Sequence, residues 1–294
     1  MTVTTSPSGI PSDPPAESTR GGGLLGTWTV YRCELAKLAG QTRTRLAAVL
    51  CLLGPFAFVV ALGMQDATPN DTLYGRWLHT SGFAVPMVIL VFGSQWVFPA
   101  LTSVVAGDMF ASEDHFGTWT TILTRSRSRS EIFAGKSLAS MTYALVIVVL
   151  LCDSSITAGL LLTGHQPLIN LSGVLLGPAE WTRLVLMSWA AILPPVLAFT
   201  ALGLLISVAT RNGPAGIAGP VVIGLVTQLC SMANTPVLVQ YLLPTTSFKA
   251  WHGFLATRPF YGPLVWDLLV SAAYTIACLG IAYALLRRRD MKGS

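Results

Sequence analysis

The stretch DMFASEDHFGTWTTILTRSRSRSEIFAGK, residues 108–136, holds the densest mix of charge in the chain and separates two long apolar runs. Its acids come first, at Asp108, Glu113 and Asp114. A Gly117-Thr118-Trp119 break, the apolar pair Ile122 and Leu123, the arginines 125, 127 and 129, Glu131 and Gly135-Lys136 follow. A polar segment bracketed by two membrane spans lies at a membrane face, so the reading turns on whether the flanking runs cross a bilayer.

The composition says that they do. The chain has 294 residues, 52% hydrophobic and only 11% charged, with a mean hydropathy of +0.63. A soluble domain carries about 25% charged residues. Six apolar runs, at about 46–64, 84–106, 138–162, 184–208, 215–243 and 265–286, each approach the roughly 20 residues that a bilayer requires. Lipid offers no partner to free backbone groups, so such runs must be helices. The expected fold is all-α: a polytopic membrane protein of six transmembrane helices with an N-terminal amphipathic interfacial helix.

Upstream of the first run, residues 1–27 are rich in Ser, Thr, Pro and Gly and read as a disordered cytoplasmic tail. From Trp28 to Arg45 the pattern changes. Trp28, Tyr31, Leu35 and Leu38 recur at helical spacing, with Arg32, Lys37 and Gln41 elsewhere on the wheel, which suggests a helix lying in the membrane interface. Internal Gly and Pro in the second and fifth runs predict kinks, and a break is expected near Asn234-Thr235-Pro236. The segment 244–264, with Trp251, Phe254, Phe260 and Tyr261, is expected to dip back toward the membrane.

Orientation follows from the cations. With the N-terminus inside, only Arg76, Arg183, Lys249 and Arg258 of the 18 Lys and Arg lie outside. The positive-inside rule then predicts both termini in the cytoplasm of a multi-pass cell membrane protein.

Several chemistries are unsupported. Ala134-Gly135-Lys136-Ser137 is like the end of a phosphate-binding loop, but the glycine that such a loop needs five positions earlier is Ser130. The expectation is no cofactor on this chain. The four histidines show no metal-ligand spacing, the five cysteines form no CxxC, and there is no GxSxG. No basic surface interleaved with aromatics points to nucleic acid. Asp153 is the one acid well inside an apolar run, and such acids default to a functional hypothesis. It is read either as part of a transport path or as a group hydrogen-bonded to Ser, Thr or Tyr of a neighbouring helix, with Ser154, Ser155 and Thr157 nearby. No catalytic constellation accompanies it, so an enzyme is not expected.

Taken together these residues resemble the ABC-2 type permease family, the membrane half of ABC exporters. The resemblance rests on an amphipathic helix with Glu34 and Lys37, then Glu113, Gly117-Thr118, Leu123, Ser128-Arg129 and Gly135-Lys136 between the second and third spans. Leu202-Gly203-Leu204-Leu205 before Arg211 and the closing Arg288-Arg289-Asp290 add to it. It covers residues 28 to 292, so residues 28–294 form the transmembrane domain. The family's proline before the Ser-Arg pair is absent, and Trp119 and Ile122 replace commoner residues.

The resemblance implies a permease that forms a homo- or heterodimer with a second permease subunit and pairs with two copies of a separate ATP-binding subunit carrying ATP and Mg. Its substrate would be drug-like, a peptide or a lipid, moved out of the cytoplasm. Glu113, Gly117, Thr118, Trp119, Ile122, Leu123, Arg125, Arg129, Gly135 and Lys136 would couple the ATPase to the spans. The alternative is an ion-coupled secondary transporter that uses Asp153.

Overall fold

A computed structural model describes residues 23–65, 72–115, 128–232, 236–256 and 258–288. The protein is almost entirely helical. Among the described residues, five helical stretches are long and apolar enough to cross a membrane: Thr42–Gly63, Arg129–Leu162, Pro178–Thr210, Gly213–Cys230 and Gly262–Arg288.

Helix α1 (Leu24–Gly40) begins four residues before the expected Trp28 and stops at Gln41, whose extended backbone separates it from α2 (Thr42–Gly63). The second apolar run is not one regular helix. It consists of α3 (Ala84–Phe92), a π-helical turn (Gly93–Val97) and α4 (Phe98–Ala106), which is why it is absent from the five. Gly107 follows α4, and the short α5 (Ala111–His115) comes next.

Helix α6 (Arg129–Leu162) has 34 residues and spans about 51 Å at 1.5 Å per residue. That exceeds the roughly 30 Å hydrocarbon core. It opens on a capping box. The Ser128 hydroxyl accepts from the Glu131 amide, and a Glu131 carboxylate oxygen accepts from the Ser128 amide at 2.9 Å. Helices α7 (Pro178–Ala191) and α8 (Leu193–Thr210) meet at Ile192 and act as one long rod. Arg211, in the left-handed region at φ 55°, ends it before α9 (Gly213–Met232). The short α10 (Val237–Leu242) and α11 (Pro244–Ser247), a 3-10 turn (Ala250–Leu255) and α12 (Gly262–Arg288) complete the chain.

Helix α12 lies along α8, α9 packs between α4 and α8, and α6 touches both α1 and α2. Glycines permit the closest crossings. A Cβ on Gly216 of α9 would strike the Gly107 carbonyl, and a Cβ on Gly159 of α6 would strike that of Gly82.

The bundle has two distinct ends. One holds a two-stranded hairpin, β1 (Leu168–Ile169) against β2 (Leu175–Leu176). Trp181 Nε1 donates to Leu168 O and Ser81 Oγ donates to Gln166 O. The segment after α11 folds onto this end rather than looping free. Phe248 stacks near Phe98 and Phe199, and Trp251 and Phe254 are buried. Phe260 and Tyr261, expected to go with them, face outward. The other end carries α1, α5 and the start of α6.

Candidate functional site

At the α1 end, four charged side chains from three helices meet. Lys136, in the second turn of α6, is 1% exposed. Its Nζ donates to Glu34 Oε1 of α1 at 2.8 Å, to Glu113 Oε1 of α5 at 2.9 Å and to Met109 O at 3.3 Å, and it sits 5.9 Å from the Phe110 ring centre. Lys37 of α1, half exposed, reaches the same Glu113 Oε1 at 2.8 Å and comes within 3.8 Å of Glu34 Oε2. Two cations thus balance two carboxylates, which is what makes a buried ammonium tolerable.

Burial alone would lower the Lys37 pKa. The Glu113 hydrogen bond and the charges of Glu34, Glu113 and Asp108 more than offset that, and the net shift is upward from 10.5. The stabilisation it brings is full below pH 10.5 and is lost as the pH rises through the raised value.

Gly135 explains why the lysine can get there. A Cβ at this position would lie 2.7 Å from Val30 Cγ1 and 2.8 Å from Val30 Cβ, and a β-branched side chain has little freedom to rotate away. The glycine brings α6 against α1, and the adjacent lysine then meets Glu34. The packed face of α1 accordingly carries Gly26, Glu34 and Leu38. Of the stripe read as facing the membrane interface, Trp28 is exposed, Tyr31 and Leu35 are half-buried and Leu38 is buried.

Neighbouring contacts hold α5 in place. Ser207 Oγ of α8 accepts from the amides of Phe110 and Ala111 at 3.1 and 3.0 Å. Arg43 Nη2 of α2 pairs with Asp108 Oδ2 at 2.6 Å. A cavity of about 520 Å³, lined by Lys37, Gln41, Thr42, Arg43, Asp108, Ser112 and Glu113, opens beside the cluster. Arg129, expected to face a partner, instead donates from Nη1 to Arg287 O at 3.0 Å, satisfying a free carbonyl at the end of α12.

Of the expected coupling residues, Glu113 and Lys136 are brought together here, with Gly135 beside them and Arg129 bonded to α12. Gly117, Thr118, Trp119, Ile122, Leu123 and Arg125 lie outside the described residues. Both described ends of the intervening stretch, at His115 and Ser128, sit next to the cluster in sequence. Asp153 is placed elsewhere, on the outer face of α6. It makes no hydrogen bond or ion pair among the described residues, and its neighbours do not gather around it: Ser154 Oγ donates to Leu52 O at 2.5 Å and Ser155 Oγ to Cys152 O.

A protein-family model described as a protein of unknown function, DUF2705, matches residues 73–292, three quarters of the chain. The chain belongs to the DUF2705 family. No curated protein matches it. The DUF2705 match begins beyond α1 and α2, so it contains Glu113, Gly135 and Lys136 and leaves out Glu34 and Lys37. The ion cluster therefore joins the matched region to the helix that precedes it.

Proposed function

We propose that this DUF2705 chain is the permease subunit of an ATP-driven exporter. It moves a drug-like, peptide or lipid substrate out of the cytoplasm, with ATP and Mg held by a separate ATP-binding subunit in two copies and a second permease alongside. One observation carries the reading: Lys136 and Lys37 tie Glu34 of α1 and Glu113 of α5 into one charge-balanced unit on α5 and α6, the two helices that flank residues 116–127 in sequence. A force on that stretch reaches α1, α5 and α6 together, which is what a coupling element must do.

The rest of the molecule fits. The α3–α4 rod supplies a sixth span, interrupted by its π turn, and α1 with exposed Leu24, Leu25 and Trp28 lies in the interface of the cell membrane. Cations crowd the α1 end, which the positive-inside rule puts in the cytoplasm with both termini. Asp153 is exposed on the outside of α6, which favours the exporter over the ion-coupled alternative.

The test replaces Trp119, Ile122 and Leu123 together with serine in the tagged full-length chain. The unaltered chain is expected to isolate with its ATP-binding subunit, and the variant to insert normally but lose that association by about tenfold or more. Unaltered association in the variant, or transport by the chain alone driven by a pH gradient, overturns the reading.

A further inference from the structure

A second polar site lies at the hairpin end, away from the ion cluster. A cavity of about 200 Å³ opens where the π turn of the second run, α9 and the segment after α10 meet. Its polar lining is Ser94 from the π turn, Gln228 of α9, and Thr245, Lys249, Trp251 and His252. Leu73, Val91 and Phe248 supply an apolar wall. Thr245 and Trp251 are 3% and 1% exposed, yet Thr245 Oγ1 and Trp251 Nε1 have no hydrogen-bond partner among the described residues. Buried polar atoms without partners call for an explanation, and an indole N–H is satisfied only by an acceptor. Lys249 is the one formal charge in the lining, and no carboxylate borders the cavity among the described residues. π turns inside α-helices recur at functional sites.

We infer that this cavity binds an amphiphilic organic anion. Its phosphate or carboxylate head accepts from Thr245, Trp251 and Lys249, and its apolar stem rests on Leu73, Val91 and Phe248. Ligand sites of this kind are mostly apolar with a few convergent polar groups. An anionic head matches a lining that offers donors and a cation without a competing acid. The inference leans on the transport reading only for how such a molecule reaches the chain. Binding itself is a property of the chain alone.

The experiment titrates hexyl phosphate into the purified full-length chain in neutral-detergent micelles, with hexanol and inorganic phosphate as parallel arms. Hexyl phosphate is expected to saturate, with the other two weaker by about tenfold or more. Lys249→Gln, at an exposed position, should weaken hexyl phosphate by about tenfold. Thr245→Val and Trp251→Phe should weaken it as well, and Thr245→Val, which removes an unpaired buried polar atom at nearly constant volume, should also raise the melting temperature of the empty protein. A structural role would lower stability and leave affinity alone.

Failure to saturate, hexanol binding equally well (an apolar groove only) or inorganic phosphate binding equally well (a free-anion site only) each overturns the inference. So does Lys249→Gln lowering stability with affinity unchanged, the result expected if Lys249 served buried Asp267 in the adjoining cavity. No binding alongside normal association with the ATP-binding subunit defeats this inference and leaves the transport reading standing. Binding by a chain that proves to have no such subunit does the reverse.

Discussion

Lys136→Met is expected to strip most of the folded protein from the membrane fraction. The substitution keeps the length of the side chain and removes its charge. It leaves the carboxylates of Glu34 and Glu113, 9% and 5% exposed, with only Lys37 at the rim between them. Removing one partner of a buried ion pair costs about 3–5 kcal/mol. A typical domain has only about 5–15 kcal/mol in total. The same physics predicts a rescue. In Lys136→Met with Glu34→Met, the charges that remain are buried Glu113 and its half-exposed partner Lys37, and apolar groups of similar volume replace the lost pair. The double variant should recover most of the stability, since swapping a buried pair for apolar side chains is often neutral. Thermal unfolding in detergent of the single and double variants measures this. A single variant at least as stable as the double would contradict the account of the cluster.

The second large effect is expected at a helix crossing. In Gly216→Ala the added methyl meets the Gly107 carbonyl, with the Gly107 carbon 2.8 Å away. Both atoms belong to backbone, so no side chain can swing aside, and α9 must move off α4. Overpacking of this kind costs about 1–3 kcal/mol and occasionally more. Asp108, next to this crossing, also lies against Gly213, so the displacement reaches the Arg43–Asp108 pair. Gly280→Ala is the control. It sits inside α12 with nothing within 4 Å of the new methyl, and should be neutral or gain up to about 1 kcal/mol from helix propensity. Melting temperatures of the two alanine variants should therefore move apart, and equal shifts would contradict the close crossing.

The spans were legible in the sequence because lipid forces the issue: an apolar run with few charges has to be helical. An irregularity in the second run was expected from its internal Gly and Pro, but its form, a π turn at Gly93–Val97, was not legible, since such a turn leaves the apolar pattern unbroken. The start of α6 could have been read from Ser128 and Glu131, three residues apart, the spacing of a capping box. Glu34, Lys37, Glu113 and Lys136 were all picked out, but through a resemblance. Their meeting was hidden because Glu34 and Lys136 are 102 residues apart and Lys37 and Glu113 are 76 apart. Periodicity in α1 marked Trp28, Tyr31, Leu35 and Leu38 as an interface face and said nothing of the face that packs on α6, which follows from Gly135 on another helix. The sequence marks Trp251 only as part of a segment dipping toward the membrane and does not single out Thr245; that both line one cavity follows from the fold.

On the proposed exporter reading, α1 moves with α5 and α6 when an ATP-binding subunit closes. A fluorophore on Cys33, an exposed thiol of α1, reports this in the assembled complex once the partly exposed Cys230 is replaced by serine. Glu34→Gln with Lys37→Gln removes the two charges that α1 contributes to the cluster while leaving the Lys136–Glu113 pair. In the parent complex, ATP should change the Cys33 fluorescence. In the double variant the ATP-binding subunit should still associate and bind ATP, and that change should be largely lost. An ATP-driven signal of the same size in both complexes would contradict the account.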